Sequence, residues 1–518
     1  MNDMKRESIL PPPVVEAHTG EPGAGKCITQ RRPDPCAIVI FGASGDLTAR
    51  KLFPSLFELY GNKAMPERFA IIGAARSDMD DEAFRAKMRE AMSENGGMDE
   101  ELWREMAGHV FYQKLDYFES SDYQALRERI EALDKELELE GNRLYYMATP
   151  PKVYKTAAEL LGGAGLCSEK NGFARIVVEK PFGYDLESAE DLDASIHESF
   201  QEHQVFRIDH YLAKETVQNI LMFRFANAIF EPVWNRNYID SVAVCAAESV
   251  GVGHRAGYYD QAGVLRDMFQ NHMMQLLALT SVEPPSVYEA DRVRDEKVKV
   301  YRALRPFDPD ALHRHLVLGQ YGSGEVDGGR VPGYRDEQGV DGKSLTPTFA
   351  ALTCFLDNWR WQGVPFHLVS GKRLKKKLTR IAVHFKDVPH SMFRDVLGEH
   401  IEHNRLVMDI YPDEAISLVF QSKGQGAKLC LRTTTMRFDF AESDPGRPLD
   451  AYETVLLDVM LGDHTLFWRQ DGVEQTWGFL TPILELCEHC GDRAEHLHSY
   501  AAGSWGPEKA REIMKLVI

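Results

Sequence analysis

From Cys36 to about Arg207 the chain alternates short apolar, β-branched runs with longer helical stretches, and no other feature of the sequence constrains the fold as tightly. CAIVIF is followed by ARKLFPSLFELY, then by FAIIGAA, and later by RLYYMATPP, ARIVVEKP and QVFRID. Parallel strands need a long crossover, usually a helix, so this order predicts βαβ units on a parallel sheet. After the helix-like stretch KETVQNILMFRFANAIF the pattern changes to longer strand-like runs, among them SVAVCAAESVGV, LTRIAVHF, RLVMDIYP, AISLVFQS and KLCLRTTTMRFDF. A second, α+β domain with a large, mostly antiparallel sheet is expected there. At 518 residues the chain exceeds what one hydrophobic core usually serves. The expected division is an α/β domain over residues 35–210 and the α+β domain over residues 211–518. Residues 1–34 combine Pro11 to Pro13, glycines and charges without apolar periodicity and read as a disordered arm of no assigned role.

Charge narrows the partners. A formal net charge of −19 repels nucleic acid and anionic membrane surfaces at long range, so neither is expected as a partner. An anionic ligand must then find a locally basic pocket. The N-terminal stretch has no apolar run long enough for a signal peptide, and nothing later approaches the roughly 20 apolar residues of a membrane span. The eight scattered cysteines suit free thiols in a reducing compartment, and a cytoplasmic protein is expected.

The strand CAIVIF runs directly into Gly42-Ala43-Ser44-Gly45-Asp46-Leu47 and then into a helix. Glycines let a backbone approach a pyrophosphate closely, and a helix N-terminus offers it unpaired N–H groups, so the first α/β unit reads as a Rossmann dinucleotide site. The spacing is G-x-x-G-x-L rather than G-x-G-x-x-G, and a tight βα turn that binds nothing is the plain alternative. At the end of FAIIGAA stands Arg76, where an NAD enzyme usually presents an acid. Arginine there, with Lys51 near the loop, favours the 2′-phosphate of NADP. Asp78 stands two residues on, and NAD stays open as a second cofactor. A near-match to a nucleoside-triphosphatase loop, Gly20 to Cys27, lacks the Ser/Thr for magnesium and a preceding strand, and is set aside.

The segment Arg207-Ile-Asp209-His210-Tyr211-Leu212-Ala213-Lys214-Glu215 packs an acid, an imidazole, a phenol and an amine at a strand-to-helix junction. Here the sequence resembles the glucose-6-phosphate dehydrogenase family, whose signature reads R-I-D-H-Y-L-G-K-E. Ala213 replaces the glycine, adding a Cβ close to the expected phosphate. The resemblance runs from GASGDLTARKLFPSLF through Glu179-Lys180-Pro181-Phe182-Gly183 and Gly257 to Gln275 to the closing SWGPEKA, leaving only the N-terminal arm outside. It implies oxidation of D-glucose 6-phosphate to 6-phospho-D-glucono-1,5-lactone with reduction of NADP, the entry to the oxidative pentose phosphate pathway. It also implies a homodimer or homotetramer paired through the second domain's sheet.

Oxidising a hemiacetal hydroxyl needs a base for the O–H proton while the C1 hydride leaves. A histidine oriented by a carboxylate suits that task. The resemblance places the base at His272 and its carboxylate at Asp209. Without it, His272 sits in an amphipathic helical run where a packed core histidine is the plainer reading. The resemblance also implies Glu248 and Asp267 as acceptors for sugar hydroxyls and Lys180 as a donor near the C1 oxygen and nicotinamide; surface salt bridges are the alternative. Asp267 precedes His272 by five residues, about 140° around an ideal α-helix. Both reach one sugar only if Asp267 lies at a frayed helix start.

For the phosphate the resemblance implies His210, Tyr211 and Lys214, with Lys372 and Lys377 from the basic run after Gly371. Read alone, that run is a solvated charge patch. The odd separation of Lys372 and Lys377 puts them on opposite faces of a regular strand, so a turn must lie between them. Cys487-Glu-His-Cys490 is a lone C-x-x-C, with His496 and His498 beyond it; without a second pair no metal is expected. From a different functional class, the rival to the enzyme is a catalytically silent NADP-binding redox sensor.

Overall fold

The computed structural model describes residues 31–94, 98–393, 401–424, 426, 430–440, 449–489 and 491–518, together with the backbone of Val14–Glu16. Most of the expected arm, residues 1–34, and all of the Gly20 to Cys27 segment lie outside these.

Six parallel strands form the first sheet, with a seventh, two-residue strand at one edge. In spatial order they are Val110–Lys114, Phe69–Ala75, Cys36–Phe41, Arg143–Met147, Ala174–Val178 and Val205–Ile208, then Phe467–Trp468. Numbered along the chain, the parallel strands run 3-2-1-4-5-6, the Rossmann order. Cys36–Phe41 and Phe69–Ala75 are buried along their whole length, as helices on both faces require. The chain reverses its winding between Cys36–Phe41 and Arg143–Met147, and there the Gly42 loop emerges.

A ten-stranded sheet carries the second unit, counting Val14–Glu16, which runs parallel to Leu431–Asp439 at one edge. The pairings are antiparallel apart from that one, Ile239–Ala247 with Pro365–Gly371, and Leu316–Gly322 with Leu497–Ala501. The mostly antiparallel expectation therefore matches. Helices Glu215–Phe225, Met274–Ser281 and Gln470–His489 bury one face of this sheet against the Rossmann unit, and Arg511–Val517 covers part of the other.

The division of the chain differs from a single cut near residue 210. Helix Ala451–Leu461 and strand Phe467–Trp468 return to the first unit, placing Val455, Leu456, Leu457, Val459, Met460 and Phe467 in the core of Phe53, Leu56 and Ile38. A local pattern cannot reveal this, because helix Phe53–Gly61 finds its partner roughly 400 residues downstream.

Among the described residues no helix is long and apolar enough to cross a membrane.

Candidate active site

The loop after Cys36–Phe41 turns at Gly42, whose φ is +82°. A Cβ built there would lie 2.2 Å from the Ala148 carbonyl oxygen, so only glycine brings this backbone so close to the neighbouring strand end. Thr48 donates back to the Gly42 carbonyl at 3.3 Å, Lys87 Nζ donates to the Ser44 carbonyl at 2.9 Å, and Gly45 and Asp46 face solvent. Ala43 is buried in the core, Leu47 packs against it, and Lys51 is exposed. Arg76, also exposed, lies 5.9 Å over the Tyr117 ring, and the Tyr117 hydroxyl lies against the Gly42 backbone. Asp78 is paired with Lys114 at 3.1 Å. Lys87, Lys114 and Tyr117 carry no motif and escaped the sequence reading.

Strands Ala174–Val178 and Val205–Ile208 end side by side, delivering Lys180 and Asp209 to the carboxyl edge of the sheet, where ligands of open α/β sheets bind. The second unit brings Asp267 and His272 on the segment Leu265–Met273, which is wound as a π-helix. Its hydrogen bonds run from i to i+5, so residues five apart stack about one turn above another. The 140° separation expected of an α-helix is thereby corrected, and Asp267 needs no fraying to share a face with His272. Lys180 Nζ shows the convergence: it lies 2.7 Å from His272 Nε2, 3.2 Å from the Asp267 carbonyl oxygen and 3.8 Å from Asp267 Oδ1.

His272 is buried, and its Nδ1–H donates to Asp209 Oδ1 at 2.5 Å, while the Tyr211 backbone N–H donates to the same oxygen at 3.0 Å. Nε2 therefore carries the lone pair, which accepts from the Lys180 ammonium. Burial pushes the His272 pKa down; Asp209 opposes this, Lys180 adds to it, and the net shift is downward. Burial alone would raise the Asp209 carboxyl, but His272, His210 and Lys180 hold it well below the usual carboxylate range. The pair is thus a neutral imidazole on a fixed carboxylate, poised to take a proton at Nε2.

His210, Tyr211 and Lys214 line one wall. The Tyr211 ring stacks on His272 at 4.0 Å, and Lys214 Nζ lies 4.5 Å over Tyr211 and 5.2 Å over Tyr411. Lys377 Nζ also lies against the Tyr411 ring, at 4.2 Å, so Lys214 and Lys377 converge. Burial first and Lys377 second push the Lys214 ammonium down to about 8. Lys372 follows Pro365–Gly371, Lys377 precedes Leu378–Phe385, and Arg373 turns between them with φ +53°, as their separation required. Lys372 itself, however, is engaged by carboxylates. Its ammonium lies 2.6 Å from Glu248 Oε2, 3.6 Å from Asp267 Oδ2 and 4.8 Å over Tyr259, because two carboxylates in a half-buried site bind a cation more strongly than a cationic cluster accepts one. Ala213 also departs from expectation: its Cβ points into the apolar cluster of Phe206, Ile208 and Phe467.

Asp209, His210 and His272 bring ligand atoms within 4.8 Å of one another, as do Asp193, His197 and Glu202. The first group is taken up by the Asp209 hydrogen bond and the Lys180 ammonium, and the second is closed by Arg207. Cys490 lies outside the described residues, and Cys487, His496 and His498 line one groove.

Residues 39–219 match the family model "Glucose-6-phosphate dehydrogenase, NAD binding domain" and residues 221–516 match "Glucose-6-phosphate dehydrogenase, C-terminal domain". The chain is 46% identical to the glucose-6-phosphate 1-dehydrogenase of Aggregatibacter actinomycetemcomitans over 93% of its length and 96% of that protein. It is 39% identical to that of Bacillus subtilis over 94% of its length and 98% of that protein. A solved glucose-6-phosphate dehydrogenase in complex with its substrate glucose-6-phosphate superposes with a TM-score of 0.86 at 36% identity, covering 94% of this chain and 98% of that one.

Proposed function

The chain belongs to the glucose-6-phosphate dehydrogenase family, and from that premise we propose which of its residues do the chemistry. The protein oxidises D-glucose 6-phosphate to 6-phospho-D-glucono-1,5-lactone, reducing a nicotinamide dinucleotide. His272 is the general base and Asp209 its orienting carboxylate; the neutral imidazole fixed between Asp209 and Lys180 carries this reading. The sugar C1 hydroxyl enters between Lys180 and His272 and donates to Nε2. As the O–H proton passes to Nε2, Asp209 stabilises the imidazolium that forms, and the Lys180 ammonium stabilises the charge left on oxygen. Glu248 and Asp267 accept from sugar hydroxyls, and Lys372 holds both carboxylates in place. His210, Tyr211, Lys214 and Lys377 hold the phosphate, giving a strongly acidic protein the local cations a dianion needs.

The dinucleotide fits the turn at Gly42, which only a glycine can make so close to Ala148 and which opens at the carboxyl edge of the sheet. The loop Gly42, Ala43, Ser44, Gly45, Asp46 and Leu47 holds the pyrophosphate, with Lys51 beside it, and Lys180 reaches the nicotinamide end. NADP is the preferred cofactor and NAD the possible second, because Arg76 is left exposed beside the loop while Asp78 is tied to Lys114. When bound, the nicotinamide accepts the hydride from C1. The protein works in the cytoplasm as a homodimer or homotetramer. The end of the large sheet supports that pairing: Leu431–Asp439 is only partly buried and leaves Met436 47% exposed.

The test follows absorbance of the reduced cofactor with glucose 6-phosphate, running NADP and NAD side by side and glucose as the unphosphorylated control. Turnover with the phosphate ester alone supports the cation pocket. In Arg76→Ser the NADP-to-NAD ratio of kcat/KM should fall by about 10-fold or more; an unchanged ratio removes Arg76 from the assignment. Cofactor binding without reduction by any sugar phosphate would instead make the protein a redox sensor.

A further inference from the structure

Beside Asp209 lies a chamber of buried polar side chains to which the reaction above gives no task. Its floor is Trp468, whose strand pairs with Arg207, two residues before Asp209. Its wall is helix Ala290–Arg302, which presents Lys297 and Tyr301 one turn apart. The Tyr301 ring stacks on Trp468 at 5.5 Å, and Lys297 Nζ lies 5.9 Å from the same ring. Gln275, three residues after His272, closes the chamber and accepts from the Tyr301 hydroxyl at 3.4 Å.

Several polar atoms here have no partner among the described residues. Asp209 Oδ1 takes both hydrogen bonds that the carboxylate receives, leaving Oδ2 buried and unpaired. Gln275 Nε2 and Trp468 Nε1 are likewise buried and unpaired. Lys297 is 3% exposed, and no hydrogen bond or ion pair reaches it among the described residues. An ammonium is not buried alone without large cost, so its counter-charge must be close. Three charged groups face it: Asp209, Arg294 from its own helix and Arg469 beyond the Trp468 strand. Both arginines already hold carboxylates, Arg294 with Asp291 and Arg469 with Asp295 and Asp471. Asp209 is the anion that remains.

We propose that Lys297 is a positioning residue for the catalytic pair, its ammonium anchoring Asp209 Oδ2 through a buried water that Gln275 Nε2 and Trp468 Nε1 also hold. Held at both oxygens, the carboxylate cannot swing, so His272 keeps its tautomer and its aim. Burial pushes Lys297 down to about 7; it is therefore protonated below neutral pH, where the acidic limb of the reaction is set.

This rests on His272 as the base, so His272→Asn is measured alongside. Lys297→Met keeps the stem and removes the charge. It should lower kcat by about 10-fold to 100-fold with little change in KM for glucose 6-phosphate. Without the cation the field of Asp209 on His272 strengthens, so the acidic limb of kcat/KM should move up by roughly one pH unit. Lys297→Gln, a neutral donor, should recover part of kcat but not the limb, and it takes over both readouts if Lys297→Met does not fold. A wild-type kcat and limb, or a loss equal at every pH that Lys297→Gln shares, overturns the proposal while His272→Asn is inactive. An active His272→Asn overturns the base assignment instead.

Discussion

Lys214 is where charge and chemistry meet most directly in this site. With its ammonium pushed down to about 8, it is a cation below that pH and loses its charge above it in the free enzyme. A phosphate dianion binds the charged form, so KM for glucose 6-phosphate should rise as pH climbs through about 8. Lys377 contributes to the depression. Lys377→Gln should therefore raise KM overall and shift that rise to higher pH, which initial rates at a series of pH values will read; a shift to lower pH would place Lys377 away from Lys214. Single residues also show how far the site is legible in sequence. The segment Arg207 to Glu215 announces Asp209, His210, Tyr211 and Lys214 because so many polar types seldom crowd a strand end for packing. The partnership of Asp209 with His272 spans 63 positions and leaves no local trace. Nor does the capture of Lys372 by Glu248 and Asp267, which arises only when three separate elements meet.

At the scale of elements, the π-helix Leu265–Met273 brings Asp267 and His272, five residues apart, to one face, as the roles proposed for them at one sugar require. It is launched by Gly263, whose φ of +64° and ψ of 177° lie in a region essentially closed to other residues. A Cβ there would meet Thr346 Cγ2 at 3.3 Å and Pro347 at 3.6 Å. Gly263→Ala should cost about 1–3 kcal/mol of stability, seen as a lower Tm, and should lower kcat by turning the helix that carries Asp267 and His272. Gly257→Ala, in the preceding helix and free of any such contact, is the control and should leave both unchanged. Equal effects from the two variants would separate the Gly263 turn from the site. The same segment marks the limit of pattern reading. Its apolar periodicity signals a helix, yet α and π winding differ by one residue per turn over nine residues, and the surrounding contacts select between them. Strands on the Rossmann sheet were legible for the opposite reason, since burial on both faces leaves unbroken apolar runs such as CAIVIF. The parallel pairing of Ile239–Ala247 with Pro365–Gly371 has no such signature, because its register is set by everything folded between them.

At the scale of the whole molecule, the active site lies where two units meet, and residues 449–489 fasten them together. Arg175 donates to the carbonyls of Val459 and Met460 at 2.7 Å each, closing the end of helix Ala451–Leu461. The Gln470 backbone N–H donates to Glu202 at 3.0 Å, Leu186 donates to Thr481 at 3.0 Å, and the Trp477 indole donates to the Phe182 carbonyl at 2.8 Å. Glu202 is itself bound to Arg207 at 2.9 Å, on the strand that runs into Asp209, so this fastening reaches Asp209. Helix Ala451–Leu461 buries five large apolar side chains in the Rossmann core. At about 1.5–3 kcal/mol each, these rival the roughly 5–15 kcal/mol that holds a domain folded. A fragment of residues 31–210 would keep every strand of the parallel sheet and lose that cover. It should show helical circular dichroism without a cooperative thermal transition and should bind a hydrophobic dye, whereas the full chain unfolds in one step. Supplying residues 449–489 as a separate chain should restore part of the transition. If the fragment alone melts sharply near the Tm of the full chain, the returning segment merely docks on a finished domain, and the position of Asp209 is set by the Rossmann unit without it.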